Sequence, residues 1–193
     1  MTDLDALLGS TRVMVILRDL GRAATLARAE QAWAAGVRLV EVTIGTADAV
    51  DSLRTTVEAG RARGLPVAAG TVLTPDAARA AAAAGAVCTV APGFDPEVLA
   101  ASRAAGLPHL PGVATPTEVH RAVRAGCGWL KAFPAISLGP AWFTAMRGPF
   151  PGVCFVATGG ITPATAPAFL DAGARVVGLG SAGGDPEALG SLV

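Results

Sequence analysis

The sequence predicts a closed (β/α)8 barrel of the TIM-barrel class, with a last helix that is short or missing. Three observations predict it. Eight β-branched or apolar runs alternate with alanine-rich stretches long enough for crossover helices, and strand–helix alternation argues for parallel pairing. Several of the helical stretches share one boundary design, Thr or Asp followed by Pro at the start and Gly at the end. That unit recurs at a spacing of about 20 residues along the middle of the chain, as repeated helix–strand units do. The 193 residues suit one domain, 1–193, somewhat short for this fold. The alternative architecture is an open doubly wound sheet, whose usual glycine fingerprint after the first strand is absent, "RDLGRA" standing there instead.

In order, the strand runs are "VMVILR" (13–18), "LVEVTI" (39–44), "PVAAGTV" (66–72), "AVCTVAP" (86–92), "PHLPGV" (108–113), "WLKAFP" (129–134), "VCFVAT" (153–158) and "VVGLGS" (176–181). Between them, helices are expected at 74–85, 95–106, 115–126 and 162–173, opening on Thr74, Asp95, Thr115 and Thr162. An oxygen-bearing N-cap accepts from the first free N–H groups, and Pro at N1 already has the helical φ. Glu118, three residues after Thr115, completes a capping box. The closing glycines can take the left-handed C-cap geometry. After "GLGS" only "AGGDPEALGSLV" remains, too little for a full eighth helix.

Composition narrows the function classes. Fifteen basic and fifteen acidic side chains cancel, which favours neither nucleic acid nor an anionic membrane surface. No apolar stretch is long enough to span a bilayer. The start "MTDLDALLGS" carries two aspartates and no basic segment, unlike a secretory signal. A cytoplasmic protein is expected. Cys88, Cys127 and Cys154 are odd in number and have no CxxC spacing, so free thiols are expected rather than a disulfide or a metal site.

Lys131 is the one lysine; every other fixed positive side chain is an arginine. Alternation within "WLKAFP" places Trp129, Lys131 and Phe133 on one face, with Leu130 and Ala132 on the other. In a barrel either face is enclosed, and an enclosed ammonium is costly without a partner. A neutral amine attacks carbonyls, whereas a guanidinium stays protonated. Glu41, interrupting "LVEVTI" in the same way, is the expected partner and could shuttle protons during imine formation and C–C cleavage. Thr43 and Gly45 share its strand face. The glycine-rich "ATGGIT" (157–162) and "GLGS" (178–181) end the seventh and eighth runs, where barrels often bind phosphate through backbone N–H groups. Thr71 ends the third run, and Arg18 ends the first, where it could meet an anionic substrate. His109 and His120 have no evident partners and read as structural.

With these residues in place, the chain resembles the class I 2-keto-3-deoxy-6-phosphogluconate and 4-hydroxy-2-oxoglutarate aldolase family. The resemblance runs over about residues 12–181 through "ILR", "GVRLVEVTIGT", "AAGTVLTP", "VAPGFDPEVL", "LPGVATPTEV", "LKAFPA", "ATGGITP" and "GLGS". The stretch after Lys131 looks closer to the 2-keto-3-deoxy-6-phosphogalactonate branch. The resemblance implies Lys131 as the Schiff-base residue and Glu41 as the general acid/base. It implies Thr71, Pro92, Phe133 and Thr158 around the pyruvyl group, and Gly159, Gly160, Gly180 and Ser181 around the phosphate. It also implies a homotrimer, a keto-acid substrate yielding pyruvate, and no metal or other cofactor. The gluconate enzymes carry an Arg four residues after the catalytic Glu; here that residue is Gly45, and Arg18 would supply the charge from the neighbouring strand. The alternatives are a non-phosphorylated 4-hydroxy-2-oxo acid as substrate, or a phosphate-binding barrel without catalysis.

Overall fold

The computed structural model describes residues 3–180 and 189–192. Its strands are β1 (Val13–Leu17), β2 (Leu39–Thr43), β3 (Val67–Gly70), β4 (Thr89–Val90), β5 (His109–Leu110), β6 (Gly112–Val113), β7 (Trp129–Ala132), β8 (Cys154–Thr158) and β9 (Val176–Gly180). All paired neighbours are parallel, in the order β5-β4-β3-β2-β1-β9-β8-β7-β6. β5 and β6 are two halves of one predicted run, "PHLPGV". Pro111 separates them because it has no N–H to give to a ladder. The first half pairs with β4, Thr89 opposite His109, and the second with β7, Gly112 opposite Lys131. The chain thus carries the pairing from one end of the sheet to the other, and the barrel closes with eight strand positions as expected.

The crossovers place helices outside the strands. α2 (Arg22–Ala34), α3 (Ala47–Arg61), α4 (Pro75–Ala83), α5 (Pro96–Ala104) and α6 (Pro116–Arg124) follow the first five strand positions. Thr74 accepts from the Ala77 N–H, and Asp95 accepts from those of Glu97 and Val98. Thr115 and Glu118 form the full capping box. α7 (Ala135–Leu138) and α8 (Pro140–Arg147) lie between β7 and β8.

The expected helix start at Thr162 is corrected: α9 covers Ala166–Asp171. Had Pro163 been its first residue, Pro167 would stand at the fifth position, where an N–H is required. Instead Thr162 and Thr165 close a turn on each other: the Thr162 N–H donates to Thr165 Oγ1, and the Thr165 N–H donates to Thr162 Oγ1. Pro167 then falls in the first turn of α9, where a missing donor costs nothing. The segment that would hold an eighth helix, 181–188, lies outside the described residues.

Alternation divides the buried side chains into two sets. Val13, Val15, Leu17, Val40, Val42, Leu130, Phe155, Val177 and Leu179 face the helices and form the larger core. Met14, Ile16, Leu39, Ala68, Cys88, Val90, Leu110, Trp129, Val156 and Val176 fill the barrel. A short helix not expected from sequence, α1 (Asp3–Leu8), precedes β1. Its Leu4 and Leu8 pack into the interior set, and Trp129 Nε1 donates to Asp5 Oδ1 at 2.7 Å. α1 thus seals the N-terminal end of the barrel, leaving the C-terminal end as the way in.

Candidate active site

The interior changes character from one end to the other. Near α1 it is apolar; one residue pair further along β2 and β7 it carries Glu41 and Lys131, 0% and 3% exposed. The predicted alternation holds, with Trp129 and Lys131 facing inward and Leu130 and Ala132 packed outward. Lys131 Nζ lies 3.6 Å from Glu41 Oε1, an ion pair slightly long for a hydrogen bond. Nζ also lies 5.6 Å from the centre of the Phe133 ring. Neither Glu41 oxygen accepts a hydrogen bond from a described residue, and the buried hydroxyls of Thr43 and Thr158 are likewise without partners. Buried polar groups ordinarily find partners. Unpartnered carboxylate oxygens beside the amine, with the unpartnered Thr158 hydroxyl belonging to a residue on the same cavity as Lys131, are therefore the mark of a site that binds polar matter.

Above this pair a cavity of about 580 Å³ opens to the C-terminal end. Its lining is Ile16, Arg18, Thr71, Pro92, Lys131, Phe133, Thr158, Gly159, Gly160 and Gly180. All the substrate-contacting positions expected from sequence within the described residues lie on it; Ser181 is outside them. Lys131 and Arg18 are the two cationic groups of the lining among the described residues. Lys131 is at the buried floor, and Arg18 is exposed at the rim. The lining therefore offers a small apolar chamber with an amine at its base and positive charge at its mouth, which suits an anionic carbonyl compound.

Backbone geometry shapes the rim. Thr71 has φ 59°, a conformation unusual for a β-branched residue and worth of order 1–3 kcal/mol in strain. It turns the chain over the end of β3 and brings Thr71 onto the cavity. Gly159 and Gly160 have φ 96° and 78°. A Cβ on them would lie 2.9 Å from the Phe133 ring and 2.5 Å from Ile136 Cγ2, so glycine is needed at both. At Gly180 and Gly45 a Cβ would meet nothing within 4 Å.

Two residues, Ile16 and Cys88, escape the sequence reading as parts of the barrel interior. Ile16 lines the cavity, at the position that alternation from Met14 assigns to the interior. Thr43, which alternation already places on the strand face of Glu41, is buried without a partner. Cys88 lies inside the barrel, where burial and then the Glu41 charge push its thiol up to about 12; it is an unreactive filler. His109, read as structural, does have partners: Thr89 Oγ1 lies 2.8 Å from His109 Nδ1 and 2.8 Å from Ser102 Oγ. His120 is exposed on α6. The cysteines are free. Among the described residues no group of three His, Cys, Asp or Glu is placed to hold a metal, and no helix is long and apolar enough to cross a membrane.

A family model described as "Aldolase: KDPG and KHG aldolase" matches residues 4–191. A 2-dehydro-3-deoxy-phosphogluconate aldolase from Treponema pallidum is 41% identical over 65% of this chain, a match spanning 60% of that protein's own length. The 2-dehydro-3-deoxy-6-phosphogalactonate aldolase of Escherichia coli is 33% identical, covering 88% of this chain and 82% of its own. A crystal structure of the KDPG aldolase from Legionella pneumophila, with pyruvate captured as a covalent carbinolamine intermediate, superposes with a TM-score of 0.85 at 28% identity. That match covers 97% of this chain and 94% of the other.

Proposed function

This chain belongs to the KDPG and KHG aldolase family, and on that premise we propose that it is a class I aldolase, a carbon–carbon lyase. Its substrate is a 2-keto-3-deoxy-6-phospho sugar acid of the gluconate or galactonate type, cleaved to pyruvate and glyceraldehyde 3-phosphate. The observation that carries the reading is the sole lysine, 3% exposed, with its amine 3.6 Å from a fully buried glutamate beneath an open cavity. A general-purpose cation would not be enclosed there.

The chemistry follows from those groups. After giving up a proton, the Lys131 amine adds to the C2 carbonyl, giving a carbinolamine that loses water to form an iminium ion. Glu41, directly or through a water, takes the proton of the C4 hydroxyl. The C3–C4 electron pair moves into the iminium, forming an enamine as the C4 aldehyde departs. Protonation at C3 and hydrolysis of the imine release pyruvate and restore the amine. The iminium is the electron sink, so the cycle calls for no metal. Thr71, Pro92, Phe133 and Thr158 surround the pyruvyl part. Gly159, Gly160 and Gly180 hold the phosphate together with Ser181. Arg18 meets the substrate's negative charge in the place of an arginine at position 45. The family resemblance further supports a cytoplasmic homotrimer in which residues 1–193 act as one domain.

Borohydride reduction in the presence of pyruvate tests the reading. An adduct is expected on the peptide containing Lys131, with none in Lys131→Arg. A folded wild type that gives no adduct at millimolar pyruvate would overturn it in favour of a non-catalytic barrel. Turnover with and without the 6-phosphate separates a phosphosugar acid from a 4-hydroxy-2-oxo acid. Equal kcat/KM for the two would remove the phosphate role from Gly160 and Ser181.

A further inference from the structure

We propose that Gly70 is a positioning residue for Glu41, its missing side chain being the space in which the carboxylate sits. The proposal rests on the Schiff-base reading above for its catalytic consequence, and on geometry alone for its steric core.

Gly70 ends β3 on the barrel's inner face, two residues beyond Ala68. It stands opposite Thr43, and Glu41 stands opposite Ala68. The Glu41 side chain therefore leans along the strand direction and across to the next strand, reaching the level of residue 70. A Cβ built at Gly70 would lie 2.0 Å from Glu41 Oε1 and 2.6 Å from both Cδ and Cγ. Its three nearest neighbours are all atoms of this one side chain. The backbone at 70 is outside the left-handed region, so alanine is conformationally acceptable there. Glycine at this position answers to the carboxylate, not to the backbone.

The need for such a device follows from what Glu41 lacks. A buried carboxylate is ordinarily fixed by donors, but no described residue donates to either oxygen. Its placement rests on the walls around it and on the attraction of the Lys131 ammonium, 3.6 Å away. One wall is the bare Cα of Gly70. Steric placement leaves both oxygens with their lone pairs free for substrate and water protons, which a carboxylate already bonded to fixed donors would not offer. Any L side chain at 70 would push the carboxylate off this spot, and with the group fully buried there is little room to recover it.

Gly70→Ala tests this. The variant should fold, bind pyruvate and, given time to equilibrate, still give the borohydride adduct at Lys131, because the nucleophilic amine is retained. Its kcat for cleavage should fall by about 10²-fold or more, the typical contribution of a positioned general acid or base, with KM changed less than about threefold. In a Glu41→Gln background the same change should lower kcat by less than about threefold, because the step it disturbs is already lost. An unchanged kcat, or full additivity with Glu41→Gln, overturns the proposal. If Gly70→Ala does not fold, the double variant with Glu41→Ala should, because it removes the atoms that the new methyl strikes. Failure of that double variant to regain the Tm of Glu41→Ala would show that the obstruction lies elsewhere. Absence of a pyruvate adduct in the wild type would instead sink the Schiff-base reading, while the Tm comparison would still decide the steric claim.

Discussion

Lys131 and Glu41 compensate each other's buried charge, and mutation can separate the loss of one charge from the loss of both. Lys131→Met alone leaves a buried carboxylate uncompensated and should destabilise by about 3–5 kcal/mol. Lys131→Met combined with Glu41→Leu removes both charges and should restore or raise stability by about 1–4 kcal/mol while abolishing the pyruvate adduct; urea unfolding of the three proteins checks the sign. His109 supplies the pH dependence. Its pKa is lowered to about 4, first by burial and then by the Arg103 guanidinium, with Asp95 opposing. The unfolded histidine titrates near 6.5, so below that pH the unfolded chain binds a proton that the native one refuses. The contribution is present above pH 6.5 and is lost as pH falls towards 4. Relative to His109→Asn, the wild type should lose about 3 kcal/mol of unfolding free energy between pH 7 and pH 4. Lys131 and Glu41 were legible in the sequence because a charged residue inside a strand run breaks a strict pattern. The partners of His109 were not, because Thr89 and Ser102 come from β4 and α5, and only closure of the fold brings them together. The fit of Gly70 to Glu41 depends on register between β2 and β3, which composition does not encode.

At the scale of elements, boundaries carried by local chemistry were readable and those set by competition were not. Thr74, Asp95 and Thr115 each bond the N–H groups they were expected to cap. α6 is the most firmly held: Glu118 accepts from the N–H groups of Ala114 and Thr115 at 2.7 and 2.9 Å. Those bonds hold the Glu118 carboxyl below its ordinary range, against an opposing effect of burial. Trp142 Nε1 donates to the Ala114 carbonyl from α8, tying the same turn to the next element. Thr115→Ala should therefore cost about 1 kcal/mol, seen as a lower urea midpoint at unchanged slope. α9 departs from the expected start because two threonines and two prolines offer rival starts, and the missing N–H at Pro167 settles between them. α1 is not legible in the sequence because six residues are too few for a periodic signal. Its amphipathic pattern becomes visible only against the open end of the barrel that Leu4 and Leu8 fill.

Across the whole molecule, the strand order closes on itself through one proline-broken segment, and the interior grades from an apolar plug to a polar mouth. The eight-fold count was visible in the sequence because every strand position leaves its own run of apolar residues. How they close was not, since Pro111 hides one strand position as two short pieces. The same architecture confines the chain's only side-chain amine to its interior. Fourteen arginines carry the remaining basic charge, so no lysine stands on the surface. A bulky amine-reactive ester applied to the native protein should leave Lys131 unlabelled and mark it only after unfolding in urea; stoichiometric native labelling at Lys131 would contradict its enclosure. Lysine acetylation, ubiquitin transfer and aldehyde crosslinking have no surface lysine to act on in this chain. Access to its lysine chemistry is by way of the cavity, so a reagent small enough to enter competes directly with the substrate.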